Sequence, residues 1–198
     1  MLTALDPSPE AKAARLDIAR RLEPGLGAMQ RQALHEWLAV AEQGDISRRD
    51  LGPEMFGRGL QFVTLVEILD DGTDYRSVIE GREVIRWFGK TGPDRFGEVY
   101  AKEHFARLRS FYLAVQLTGR PALRNFVVRS IEEEELAFSQ LVLPATDDQG
   151  IVRFLGIVFD FTDPLRRIPA APLRMYAPWK RLGKGMTRDT IFGDHKWR

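Results

Sequence analysis

Leu60-Gln61-Phe62-Val63-Thr64-Leu65-Val66-Glu67-Ile68-Leu69, then Asp70-Asp71-Gly72-Thr73, then Asp74-Tyr75-Arg76-Ser77-Val78-Ile79-Glu80 is the stretch that decides the fold. β-branched and aromatic residues dominate the first run, and a second strand-like run follows the turn at once. Asp-Gly between two such runs is a hairpin signal, since both residues tolerate the positive φ of a tight turn. The hairpin brings Glu67 and Arg76 onto adjacent strands, within reach of a cross-strand ion pair. If Arg76 points inward instead, its guanidinium is a site for a carboxylate or phosphate.

Downstream the period changes. Val84, Ile85 and Phe88 are spaced for a short helix closed by Gly89, and Thr91-Gly92-Pro93 makes a turn. Phe105, Leu108, Tyr112 and Val115 mark a long helix over 100–117, with Gly119 and Pro121 beyond its end. Three more strands follow at 122–131, 135–143 and 151–161, with an acidic segment, Glu132-Glu133-Glu134, between the first two. The last strand is apolar on both faces, with Val152, Phe154, Gly156 and Val158 on one and Ile151, Leu155, Ile157 and Phe159 on the other, as a doubly covered central strand is. Pro144 is expected to end the strand before it or to sit at an edge. Two strands, helices, then three strands predict an α+β fold: a five-stranded antiparallel sheet with helices on one face.

Upstream, Ser8-Pro9-Glu10 reads as a helix start, and residues 1–25 read as an exposed or partner-docked leader. Over 26–43, Leu26, Met29, Ala33, Leu34, Trp37, Leu38 and Ala41 share one helical face. That face packs on its own domain by default, or on a second copy. The resulting division is an N-terminal helical extension (1–44), a sheet domain (45–163) and a C-terminal tail (164–198).

The chain of 198 residues carries 29 Lys plus Arg against 28 Asp plus Glu, so its net charge argues for no particular partner. Residues 164–198 hold six Arg and three Lys against two Asp, a balance of +7, and the rest carries −6. With Pro164, Pro169, Pro172 and Pro178 this tail reads as solvated, and a nucleic acid or anionic membrane is expected only through it. The absence of cysteine excludes disulfides, a thiol nucleophile and a cysteine–flavin adduct. No signal peptide or membrane span is legible, and a cytoplasmic protein is expected.

The order of elements resembles that of a PAS domain. Trp37-Leu38, Ser47-Arg48-Arg49-Asp50-Leu51-Gly52-Pro53, Asp74-Tyr75-Arg76-Ser77-Val78-Ile79-Glu80-Gly81, Phe111-Tyr112, Thr118-Gly119-Arg120-Pro121 and Leu141-Val142-Leu143-Pro144 resemble a bacterial family of small PAS-type proteins over residues 33–161. Val78-Ile79-Glu80-Gly81 departs from that family's Leu-Val-Gly by placing a carboxylate near the strand end. The resemblance implies a stand-alone sensory or interaction module, acting in trans in signalling, that holds a small molecule between sheet and helices or binds a partner protein.

On that basis Arg76, Trp87, Phe88, Tyr112, Phe126 and Phe138 are the candidate ligand-binding residues. His104 joins them because some haem-binding PAS proteins carry their axial ligand at the start of this helix, and one axial histidine suffices. Met29, Leu34, Trp37 and Leu38 are the candidate homodimer contact. No catalytic or metal-ligating residue is assigned, and the sequence specifies no cofactor: His35, His104 and His195 form no ligand motif, and Gly57-Arg58-Gly59 is no phosphate loop. The alternatives are a small cavity enzyme on a similar α+β fold and a basic-tail tether.

Overall fold

In the computed structural model, which describes residues 3–92, 94–100, 102–129 and 135–161, the hairpin forms where the sequence places it. β1 (Val63–Leu69) and β2 (Asp74–Glu80) pair antiparallel around a 3-10 turn at Asp70–Gly72. Asp70 and Asp71 take φ of 46° and 57° there, a left-handed conformation that aspartate tolerates better than most residues. Glu67 pairs with Arg76 in register, and their side chains form an ion pair at 2.6 Å.

β3 (Ala122–Arg129), β4 (Glu135–Thr146) and β5 (Val152–Asp160) complete a single antiparallel sheet in the order β2-β1-β5-β4-β3. The last strand among the described residues therefore sits at the centre, as its two apolar faces require. The architecture is α+β and PAS-like. α4 (Arg82–Phe88), α5 (Phe96–Val99) and α6 (Lys102–Thr118) lie on one face, packing Val84, Phe88, Phe96 and Leu108 against Val66, Leu155 and Ile157.

The N-terminal extension and a short helix after it cover part of the other face. α1 (Pro9–Arg20), α2 (Ala28–Gln43) and α3 (Pro53–Phe56) put Leu16, Leu34, Trp37 and Phe56 on Leu65, Leu141, Leu143 and Val158. The leader is thus anchored. Ser8 caps α1, Ala19 is fully buried, and the Leu5 N–H donates to the Gly150 carbonyl at 3.0 Å. Gly156 permits the close approach of α3, since a Cβ there would lie 3.0 Å from the Phe56 ring.

Two polar side chains clamp α2 to the sheet. Gln30, fully buried, donates from Nε2 to the Val158 carbonyl at 3.0 Å and accepts through Oε1 from the Ser139 hydroxyl at 3.2 Å. Trp37 donates from Nε1 to the Pro144 carbonyl at 3.0 Å. Pro144 does not end β4, which runs on to Thr146. β3 pairs only as far as Val142, so the proline's missing N–H faces an edge that has no ladder to join. Thr146 then bonds to the Ile46 carbonyl through both its N–H and its hydroxyl. A register shift between Ala145 and Thr146 also turns Val152 to the α4–α6 side, away from Phe154, Gly156 and Val158. The acidic segment at 132–134 and the tail at 164–198 lie outside the described residues.

Candidate functional site

Of the expected pocket residues, Trp87, Phe88, Tyr112 and Phe138 lie in one cluster. Trp87 stacks on Phe161 at 4.8 Å between ring centroids and 10° between planes. Phe88 meets Phe138 at 5.0 Å, Phe159 at 5.5 Å and Phe161 at 5.6 Å. Tyr112 packs edge-on against Tyr75 at 5.3 Å. All are buried. These are ordinary packing distances for aromatic pairs, so these rings pack against one another between the sheet and α4–α6. Burial also pushes the Tyr75 hydroxyl well above the usual phenol range, which keeps it neutral.

Of the remaining ligand-binding candidates, Arg76 alone has a described side chain. Arg76 points outward: its guanidinium is 46% exposed and engaged by Glu67. Phe126 stands opposite Phe138 in the β3–β4 register, and His104 sits in the first turn of α6; neither side chain is among those described. The apolar face assigned to a second copy is taken up within the chain. Leu34, Trp37 and Leu38 are buried against the sheet, and Met29 is half-buried at the margin. The sheet face opposite α4–α6 is apolar enough to bind this helix itself.

Among the described residues three interior side chains keep unmet polarity: Gln116 on α6, through its Oε1, and two on the sheet. Thr64, between Val63 and Leu65, and Gln140, between Ser139 and Leu141, alternate toward the α4–α6 side. Thr64 Oγ1 and Gln140 Oε1 are buried there without a hydrogen-bond partner.

Open space lies on the other face, past the edge of α2. A groove of about 610 Å³ has Leu65, Phe154 and Ile79 along it, with Arg48 and Arg49 beside them. Arg48 lies over the Phe154 ring at 5.4 Å. Asp50 sets that loop by accepting from both the N–H and the hydroxyl of Ser47 at 2.8 Å. A second groove of about 620 Å³ runs from Arg58 and Leu60 to Arg82 and shares Ile79 with the first. Sequence reasoning missed this surface. The signal was there in Val78-Ile79, adjacent apolar residues that break the alternation of β2.

Glu80, the residue that departs from the family pattern, serves the opposite face. Its carboxylate accepts from the Thr91 N–H at 3.1 Å, the Thr91 hydroxyl and the Gly92 N–H at 3.3 Å, and so holds the loop after α4 to the edge strand.

Asp147, at the far end of the first groove, is half-buried, which disfavours its charge. The N–H groups of Ile151 and Gln149 and the Arg153 guanidinium outweigh that burial and hold its carboxyl below the usual value. A lowered folded pKa gives stability that is present above the unfolded value, about 3.9, and lost as pH falls through the folded one. Asp147→Asn should therefore lower the melting temperature at pH 7. The gap to the native protein should close below about pH 4, as thermal melts at both pH values would record.

Among the described residues, no group of three or more His, Cys, Asp or Glu is placed to hold a metal ion, and no helix is long and apolar enough to cross a membrane. No family model and no curated protein matches the chain. Among solved structures it is similar to a sensory box histidine kinase/response regulator from Burkholderia thailandensis E264, with a TM-score of 0.33 and 10% identity over 53% of this chain and 79% of that one.

Proposed function

We propose that the chain is a PAS-type sensory or interaction module, working without catalysis, that engages a partner protein on its outer sheet face. One observation carries this reading. Aromatic rings pack on one another between the sheet and α4–α6, while apolar side chains and three arginines with no carboxylate partner among the described residues gather around Ile79. A fold with a rigid interior and a receptive surface is suited to relaying a contact rather than to turning over a substrate. A cytoplasmic setting is part of the proposal, as the place where such a partner is met.

A second reading has its own observation: the unpartnered Thr64 Oγ1 and Gln140 Oε1 favour a small polar ligand under α4–α6. Native mass spectrometry of the purified chain, with an absorption spectrum, separates the two. The first reading expects the polypeptide mass or a multiple of it, with no stoichiometric small molecule and no absorption beyond the aromatic band. A bound haem, flavin or other ligand at one per chain overturns it in favour of the second.

A further inference from the structure

We infer that the surface around Ile79 docks an acidic amphipathic helix of another protein, an inference that rests on the reading of this face as the binding surface. Ile79 and Val78 are 47% and 37% exposed, large apolar side chains on an edge strand. The register shift between Leu65 and Val66 explains their exposure: Val78 is the extra residue of a β-bulge, and Ile79 then falls opposite Leu65, on the face that α2 leaves open. The same bulge interrupts the outer edge of β2, and Arg76 there already forms a bridge to Arg95, so strand addition is disfavoured. What remains is a pair of grooves meeting at Ile79, with Leu65, Phe154 and Leu60 beside it.

Charge selects the occupant. Arg20, Arg76, Arg95 and Arg153 each reach a carboxylate of their own chain. Arg48, Arg49 and Arg58 have no carboxylate within ion-pair distance among the described residues, and all three flank these grooves. The acidic groups at the margins are Asp147 and Asp148 at one end and Glu80 at the other. Asp147 is engaged by Arg153, and Glu80 by Thr91 and Gly92. An otherwise acidic body thus gathers unpaired cations around an exposed apolar strip. Helix-in-groove recognition supplies the complement: apolar residues at i, i+3, i+4 and i+7 on Ile79, Leu65 and Phe154, and flanking Glu or Asp facing the arginines. A phosphate backbone answers the arginines but leaves the apolar floor unmatched.

The probe is a fluorescein-labelled peptide of Glu, Ala and Leu with its leucines at that spacing, titrated with the full chain and read by fluorescence anisotropy. Comparison probes are the same composition with the leucines scrambled, a thymidine oligonucleotide and phosphatidylserine vesicles. The striped peptide should bind best, more weakly as salt rises, because exposed charges are screened. Ile79→Asp and the Arg48→Glu/Arg49→Glu pair should each weaken it about tenfold or more while keeping the native melting temperature. If Ile79→Asp fails to fold, Arg58→Glu and Ile79→Ser serve in its place. Equal binding of the scrambled peptide, of the oligonucleotide or of the vesicles overturns the inference, as does undiminished binding by the folded variants. Such a failure beside a ligand-free native mass removes the acidic helix and leaves the interaction module standing; a ligand-bearing mass removes the module reading itself.

Discussion

Phe88→Ala should lower the stability of the protein by about 3–5 kcal/mol, the range for removing a buried phenylalanine. Phe88 is 1% exposed, on α4, and its ring touches Phe138, Phe159 and Phe161 from two strands and the chain beyond β5. Those neighbours also pack on one another, Phe138 against Phe159 at 6.0 Å and Phe159 against Phe161 at 5.8 Å, so none is free to swing into the gap. The loss should appear in urea unfolding as a lower midpoint at unchanged slope. The emptied site should then bind benzene and recover part of the loss, because an apolar cavity stays dry and a ligand that binds only the folded state stabilises it. A loss below about 1 kcal/mol would mean that the rings around Phe88 are loosely packed.

Leu34→Ala on α2 should cost about 2–5 kcal/mol, and Trp37→Phe about 1–3 kcal/mol, with no change in molecular mass. Leu34 is fully buried under its own sheet. Trp37→Phe keeps most of the ring's bulk but removes the Nε1 donor, leaving the Pro144 carbonyl buried and unpaired. If the same face held two copies together, these substitutions would instead halve the mass and leave the monomer's melt unaltered. Light scattering beside a thermal melt distinguishes the two outcomes.

The hairpin, the order of the elements and the central place of β5 were legible because each rests on local pattern: alternation, turn residues and helical spacing. The role of α2 was not. Its apolar stripe is the same whether it faces a sheet or a second helix, and only the tertiary structure supplies the partner. Gln30 carried a hint, a polar residue inside the apolar face at four residues from Leu26 and three from Ala33, as a side chain bonding to a sheet carbonyl requires. The aromatic residues were placed in the right layer, since Trp87, Phe88, Tyr112 and Phe138 share one cluster. Whether such rings line a cavity or fill it depends on distances between elements far apart in sequence, which no spacing rule encodes. The surface at Ile79 was lost for a related reason: the bulge at Val78 exposes that residue, and a bulge is a property of two paired strands rather than of one.

On the proposed reading the outer sheet face binds and the aromatic interior does not. Amide NMR of the full chain, titrated with the striped acidic peptide, tests it most directly. Shift changes are expected at Arg48, Arg49, Leu65, Val78, Ile79 and Phe154, with Phe88, Tyr112, Phe138 and Phe159 unmoved. Changes centred on Phe88 and Phe138, or none at any residue, would contradict it.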